Sequence, residues 1–319
     1  MPPALLIEDI SKRYDDHVAV SHLNLSVPVG TIYGILGPNG AGKSSTLRMV
    51  MNIIARDGGR ISLFGADPAV DRTVLRRVGY LPEERGLYKK MKVIDVIIFF
   101  AMLKGVSEPV ARTEGDRWLE KMGLADWRNG KVETLSKGMQ QKVQFITCVI
   151  HKPDLLILDE PTSGLDPVNQ EVLRDTILGA RDEGRTVVFS THNMDQAEQL
   201  CEHICIIANG HKVLDGGLRD IRRGNLGNSY LIEFDAPSSD TVEFMRDKFG
   251  LFNRVARNGD GWEVELAPDT EVRELVAALN TLDVTLTRFA RVQPSLHQIF
   301  VQKVGDAATP GRRPETANV

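Results

Sequence analysis

Thr31-Ile32-Tyr33-Gly34-Ile35-Leu36 runs directly into Gly37-Pro38-Asn39-Gly40-Ala41-Gly42-Lys43-Ser44. The first six residues form a near-continuous apolar run, as a strand buried on both faces does. From about Ser44, apolar residues recur at helical spacing (Leu47, Val50, Met51, Ile54). A glycine-rich stretch therefore lies between a buried strand and a helix. It matches G-x-x-x-x-G-K-[ST] in full, from Gly37 to Ser44. The glycines let the backbone curl so that successive N–H groups point at phosphate oxygens. The helix that follows adds the positive end of its dipole. Lys43 supplies a mobile charge for β- and γ-phosphates, and the Ser44 hydroxyl is placed to ligate Mg²⁺.

Leu155-Leu156-Ile157-Leu158 is a second buried-strand run, and it ends in Asp159-Glu160. Alone, such a run is more often a plain strand end. Paired with the loop above, it delivers an Asp carboxylate beside the phosphates, where it can hold Mg²⁺ through water. Glu160, one residue on, can reach an attacking water as general base.

The rest of the chain fits this frame. Short apolar runs at Leu5–Ile7, Val18–Val20 and Leu23–Val27 read as strands, and residues about 84–150 read as mostly helical (Val93–Leu103, Val110–Met122, Lys137–Ile150). Residues 168–183 are helical, Thr186–Ser190 is a strand, Met194–Cys201 a helix, and Ile204–Leu214 a hairpin turning at Asn209-Gly210. Apolar strands alternating with helices predict a mostly parallel sheet covered on both faces. The Gly-, Arg- and Asn-rich stretch 216–228 marks a domain boundary. Beyond it, strands at Ser229–Phe234, Trp262–Leu266 and Val284–Phe289 and helices at 239–249, 270–280 and Ser295–Val301 outline a small α+β unit of ferredoxin-like pattern. The Pro-rich tail from about Asp306 is expected to be disordered.

The 319 residues suit two domains, and 42% apolar content supports a sizeable core. Thirty-nine basic residues stand against 43 acidic ones, with a pI near 6.0. Attachment to nucleic acid by bulk charge is therefore not expected. Three cysteines make no disulfide framework, which points to a reducing compartment. No signal peptide is expected from MPPALLIEDISKRY, and the longest apolar run, Val93–Leu103, falls far short of the ~20 residues of a membrane span. Cys201-x-His203-x-Cys205 invites a metal reading, but it lacks a fourth ligand and reads better as structural cysteines. Arg219–Arg223 reads as a solvated linker face, and Val93–Leu103 as core of the helical region.

With these pieces in order, the chain resembles the ATP-binding subunit of an ABC transporter over residues 4 to about 225. The segment Leu135-Ser136-Lys137-Gly138-Met139-Gln140 looks like the family's LSGGQ signature, Ser163-Gly164-Leu165-Asp166 matches its D-loop, and His192 after Ser190-Thr191 matches its switch histidine. Tyr14 sits where the family stacks an aromatic on adenine. The resemblance implies an α/β P-loop NTPase (ABC-type ATPase) core, residues 1–225, with a helical subdomain at about 84–150. A C-terminal α+β accessory domain would span 226–305 and the tail 306–319.

The resemblance also implies a homodimer closing head to tail around two MgATP. Gly37, Pro38, Asn39, Gly40, Ala41, Gly42, Lys43, Ser44, Ser45 and Tyr14 would bind nucleotide. Ser44, Asp159 and Glu83 would hold Mg²⁺. Glu160 would be the base, His192 would sense the γ-phosphate, and Ser136, Lys137, Gly138, Met139 and Gln140 would meet the partner's ATP, with Asp166 in the D-loop. Separately encoded transmembrane permease subunits would dock near Glu83 and the helical subdomain, placing the chain at the cytoplasmic face of the membrane.

Two positions depart from the family pattern. Glu83 replaces the usual glutamine, either adding negative charge near a triphosphate or having that charge offset by Arg85, and Lys137 and Met139 replace a Gly and the Gln of the signature. The Tyr80-Leu81-Pro82-Glu83-Glu84-Arg85-Gly86-Leu87-Tyr88 and Leu135–Met139 forms look most like the exporter branch, including sodium-exporter-like ABC-2 subunits. Rival readings are a soluble ABC ATPase acting on DNA or ribosomes, and a phosphate-loop kinase or GTPase. The first lacks its long coiled-coil insertion or second cassette, and the second leaves the signature unexplained. A C-terminal ligand-sensing module is compatible with the main reading.

Overall fold

The computed structural model describes residues 2–84, 86–235, 239–246 and 250–308. Arg85, the residues 247–249 of the expected helix at 239–249, and most of the expected tail (309–319) lie outside the described residues. The chain divides into two compact units, one running to Leu218 and taking in the segment from Lys303, the other Arg219–Gln302.

The first unit runs β1 (Leu5–Tyr14), β2 (His17–Val27), β3 (Ile32–Leu36), α1 (Lys43–Val50), β4 (Gly58–Leu63), β5 (Val78–Leu81), α2 (Val93–Leu103), α3 (Glu108–Lys121), α4 (Lys137–Val149), β6 (Leu155–Asp159), α5 (Pro167–Asp182), β7 (Thr186–Thr191), α6 (Met194–Leu200), β8 (His203–Ala208) and β9 (His211–Gly217). Six strands form one sheet in the order β5-β6-β7-β3-β8-β9, parallel except for β9. Every residue of β3, β6 and β7 is buried, which explains their unbroken apolar runs. A second, antiparallel sheet has the order β2-β1-β4. The fragments read near the N-terminus are thus two long strands of one hairpin. Their register shifts at Ile7/Ile10 and Ile10/Lys12 break the alternation that would have joined them.

Parallel strands present their C-terminal ends along one edge, where ligands of such sheets sit. The strand order places the end of β3 beside that of β7 and the end of β7 beside that of β6. Helices α2, α3 and α4 pack on one another, and Trp118 of α3 meets Phe145 of α4 edge-on at 6.3 Å. Along α2, Val93, Ile94, Val96, Ile97, Ile98 and Ala101 are buried, while Phe99, Met102 and Leu103 are exposed.

The boundary stretch 216–228 holds a short helix, α7 (Leu218–Gly224), that its Gly and Arg content concealed. The second unit continues with β10 (Ser229–Asp235), α8 (Ser239–Phe244), β11 (Phe252–Asn258), β12 (Gly261–Leu266), α9 (Val272–Leu279), β13 (Thr285–Arg291) and the part of α10 (Leu296–Ala308) that precedes Lys303. Its sheet is antiparallel in the order β11-β12-β10-β13, a βαββαβ order of the ferredoxin-like pattern in which β11 is a strand that the sequence reading did not include. Tyr230, Ile232, Phe234, Trp262, Val264 and Leu275 anchor its own core. Helix α10 continues to Ala308, past the Asp306 at which the tail was expected to begin.

Candidate nucleotide site

The loop 37–42 owes its shape to two crowded glycines. A Cβ on Gly37 (φ +153°) would lie 2.1 Å from the Ile207 carbonyl oxygen, and one on Gly42 (φ +104°) 2.2 Å from that of Ala19. Any other residue at either place would force the loop off its supports. One support is the β8–β9 turn, where Asn209 (φ 50°) and Gly210 (φ 77°) allow a tight reversal. The Gly210 N–H donates to the Ala41 carbonyl at 3.1 Å. The Asn-Gly hairpin legible in the sequence thus buttresses the phosphate loop, which the sequence did not reveal.

Lys43 opens α1 with its side chain buried. Its ammonium donates to the carbonyls of Gly37 (2.7 Å) and Pro38 (3.1 Å), and lies 3.5 Å from Glu160 Oε1. Glu160 follows β6 with a left-handed φ of 49°, and its N–H donates to the Ser190 carbonyl (3.2 Å) and to Ser190 Oγ (3.1 Å). His192 Nδ1 sits 3.0 and 3.1 Å from the two Glu160 carboxylate oxygens. One carboxylate thus joins the loop lysine to the histidine after β7.

Asp159 is completely buried. Ser44 Oγ (3.1 Å) and Ser190 Oγ (2.5 Å) both donate to its Oδ1, while Oδ2 has no hydrogen-bond partner among the described residues. Ser44 Oγ is also 3.4 Å from Glu83 Oε2. Burial raises the Asp159 pKa above its ordinary value, and the charges of Glu83 and Glu160 add to this. A folded-state pKa above the unfolded one means that the ionised carboxylate costs stability at neutral pH, a cost that disappears as pH falls through the folded value. Asp159→Asn is therefore expected to raise the nucleotide-free melting temperature at pH 7, within the roughly 0.5–2 kcal/mol of typical stabilising substitutions. Calorimetric melting at pH 7 and pH 4 checks this, with the gain shrinking at the lower pH. A buried, unpartnered carboxylate oxygen beside a serine hydroxyl and a second acid is a set of hard oxygen donors, which suits Mg²⁺.

Ser136 caps α4, its Oγ accepting from the Met139 N–H (3.2 Å), and Gln140 Nε2 returns to the Leu135 carbonyl (3.0 Å). A methyl on Gly138 would lie 3.7 Å from the Gly164 carbonyl and 3.8 Å from Leu165 Cδ2, so this segment flanks residues 163–166. Asp166 caps α5 by accepting from the Asn169 N–H at 3.1 Å. The structure brings Lys43, Ser44, Glu83, Asp159, Glu160 and His192 together. Among the described residues, no hydrogen bond or ion pair joins Ser136–Gln140 or Tyr14 to the 37–45 loop. Tyr14 ends β1 exposed, with Lys12 Nζ 5.5 Å from its ring centroid. Cys201 and Cys205 are buried free thiols, and among the described residues no three His, Cys, Asp or Glu side chains gather as metal ligands. Ser190, which ties Asp159 to Glu160, read in the sequence only as a strand end. A serine inside an apolar strand beside Thr191-His192 was its one signal.

The ABC transporter family model matches residues 20–163, and that of the DrrA1-3-like ATP-binding protein C-terminal domain matches 216–304. The ABC transporter ATP-binding protein YhaQ of Bacillus subtilis is 40% identical over 94% of this chain and 98% of its own length. The chain belongs to the ATP-binding proteins of ABC transporters. The Nod factor export ATP-binding protein I of Burkholderia orbicola is 34% identical over 76% of this chain and 79% of its own. A solved ATP-binding subunit of an ABC transporter superposes with a TM-score of 0.66 at 30% identity, covering 69% of this chain and 92% of that one. A dimeric bacterial ABC transporter cassette shares the fold, with a TM-score of 0.63 at 23% identity over 67% of this chain and 99% of its own. As a member of this ABC family the chain binds ATP and hydrolyses it, and the family's P-loop NTPase core is the fold expected from the sequence.

Proposed function

We propose that this chain is the ATPase subunit of an ABC exporter, in which two copies close head to tail over MgATP and drive separately encoded permease subunits from the cytoplasmic face. The observation that carries the reading is the continuous link from Lys43 through Glu160 to His192, set beside Asp159, whose buried Oδ2 lacks a partner. In this reading residues 1–225 form the ATPase domain and 226–305 the accessory domain. The loop N–H groups of 37–45 cradle phosphates, Lys43 leaves its carbonyls for phosphate oxygens, and Tyr14 stacks on adenine. Ser44, Asp159 and Glu83 hold Mg²⁺, which when bound offsets phosphate charge as a Lewis acid. Glu160 takes a proton from the attacking water while His192 fixes its carboxylate.

Ser136–Gln140, with the exposed helix start at Lys137, covers the partner subunit's γ-phosphate, and Asp166 lies at the same face. Export is supported by the Nod factor export relatives. A permease has a ready seat. A groove of about 630 Å³ lined by Ile53, Tyr80, Leu87, Phe100 and Lys104 adjoins the 82–87 loop. Beside it Tyr88, Phe99, Met102 and Leu103 are exposed, and neighbouring exposed apolar side chains suit a partner interface. Among the described residues no helix is long and apolar enough to cross a membrane.

Gly138→Ala tests the composite site. The added methyl meets only ordinary contacts within its own subunit, so the variant is expected to fold and bind ATP as the parent does. Hydrolysis is expected to fall at least tenfold, because the methyl intrudes on the neighbouring nucleotide. Parental turnover by this variant would remove the signature segment from the site.

A further inference from the structure

The arginines of residues 219–302 are not alike. Arg273 pairs with Glu271 (2.8 Å), Arg288 pairs with Glu233 (3.3 Å), and Arg291 Nε donates to the Gly227 carbonyl (2.9 Å). The guanidinium groups of Arg246, Arg254 and Arg257 have no hydrogen bond or ion pair with any described residue, and all three side chains border one concavity of about 430 Å³. The nearest acids on β12 are already held by asparagines. Asn253 Nδ2 donates to Glu265 Oε1 (3.0 Å) and Asn258 Nδ2 to Glu263 Oε2 (3.3 Å), although Arg254 is the register partner of Glu265. Arg257 lies over the Trp262 ring at 4.3 Å. Val242, Met245 and Phe252 give the same concavity an apolar wall.

The cluster does not follow from bulk charge, because residues 219–302 hold ten basic and thirteen acidic side chains. Among the described residues no carboxylate pairs with these three guanidinium groups around the hollow, which leaves their charge open to an anionic ligand. A guanidinium fork matches phosphate oxygens in pairs. Stacking on Trp262 orients one fork in advance and lowers the ordering cost of binding. The apolar wall suits the non-ionic part of a ligand.

We propose that this concavity in the C-terminal unit binds a phosphate-bearing ligand with an apolar portion. Its source is either an anionic phospholipid headgroup or a soluble organic phosphate. The site shares no residue with the ATP site and does not depend on the roles assigned there.

Two measurements on the full chain test it, with ADP saturating the 37–44 loop. One is flotation with phosphatidylglycerol vesicles against phosphatidylcholine vesicles, and the other is calorimetric titration with inorganic phosphate. The expected result is binding in at least one arm that weakens at least tenfold in the Arg254→Gln/Arg257→Gln double variant, with ATP hydrolysis kept at the parental rate. Arg257→Lys keeps the charge and is expected to retain most of the binding, while the exposed Arg254→Gln alone covers the case in which the double variant fails to fold. Binding of phosphate itself assigns a soluble ligand, and binding of phosphatidylglycerol vesicles only assigns the headgroup. Parent and Arg254→Gln behaving alike in both arms, or equal flotation with both lipids and no phosphate binding, overturns the proposal.

Discussion

Glu160→Gln is expected to bind ATP with near-parental affinity and to hydrolyse it roughly 10²–10⁴-fold more slowly, the range that a positioned general base contributes. The substitution keeps the length and one acceptor oxygen of the side chain, so the positive-φ turn at 160 and its N–H contacts to Ser190 survive. What disappears is the carboxylate that His192 Nδ1 meets at 3.0 Å and Lys43 at 3.5 Å. A neutral amide cannot accept the proton of water. Steady-state phosphate release with nucleotide binding measured in parallel checks this, and undiminished turnover would remove Glu160 from the base role.

The second large effect is at Lys43. In the nucleotide-free chain its ammonium satisfies the Gly37 and Pro38 carbonyls and sits beside Glu160. Binding exchanges those contacts for phosphate oxygens, so only the difference appears as affinity. Hydrogen bonds to charged groups contribute roughly 1.5–3 kcal/mol each. Lys43→Ala should therefore weaken ATP binding by about 10- to 100-fold, the conversion being tenfold per ~1.4 kcal/mol. Two further costs are built in, because the substitution frees two loop carbonyls and leaves the buried Glu160 with His192 alone. Calorimetric titration reads the result, and an unchanged dissociation constant contradicts the assignment.

Much of the ATPase unit could be read from the sequence because its central strands are buried on both faces. Thr31–Leu36, Leu155–Asp159 and Thr186–Ser190 are unbroken apolar runs, and the residues after each are those that meet at the site. Strands with other surroundings escaped. β4 begins Gly58-Gly59-Arg60, and β11, Phe252-Asn-Arg-Val-Ala-Arg-Asn, is an edge strand with one neighbour and little alternation. α7 was hidden because Arg219, Arg222 and Arg223 look like linker composition.

At the site, sequence spacing brought Lys43, Ser44, Asp159 and Glu160 to attention, since motif and strand end specify them. It could not show that Lys43 folds back onto its own loop, that Ser190 bridges the two acids, or that Gly210 supports Ala41. Those contacts depend on β7 and β8 flanking β3, a strand order that local periodicity does not contain.

The sandwich of two copies around nucleotide is tested most directly by light scattering on Glu160→Gln with MgATP. The account predicts a particle of twice the 35.4 kDa chain mass that reverts to one chain mass when ATP is removed. A particle that stays at 35.4 kDa in saturating MgATP contradicts it.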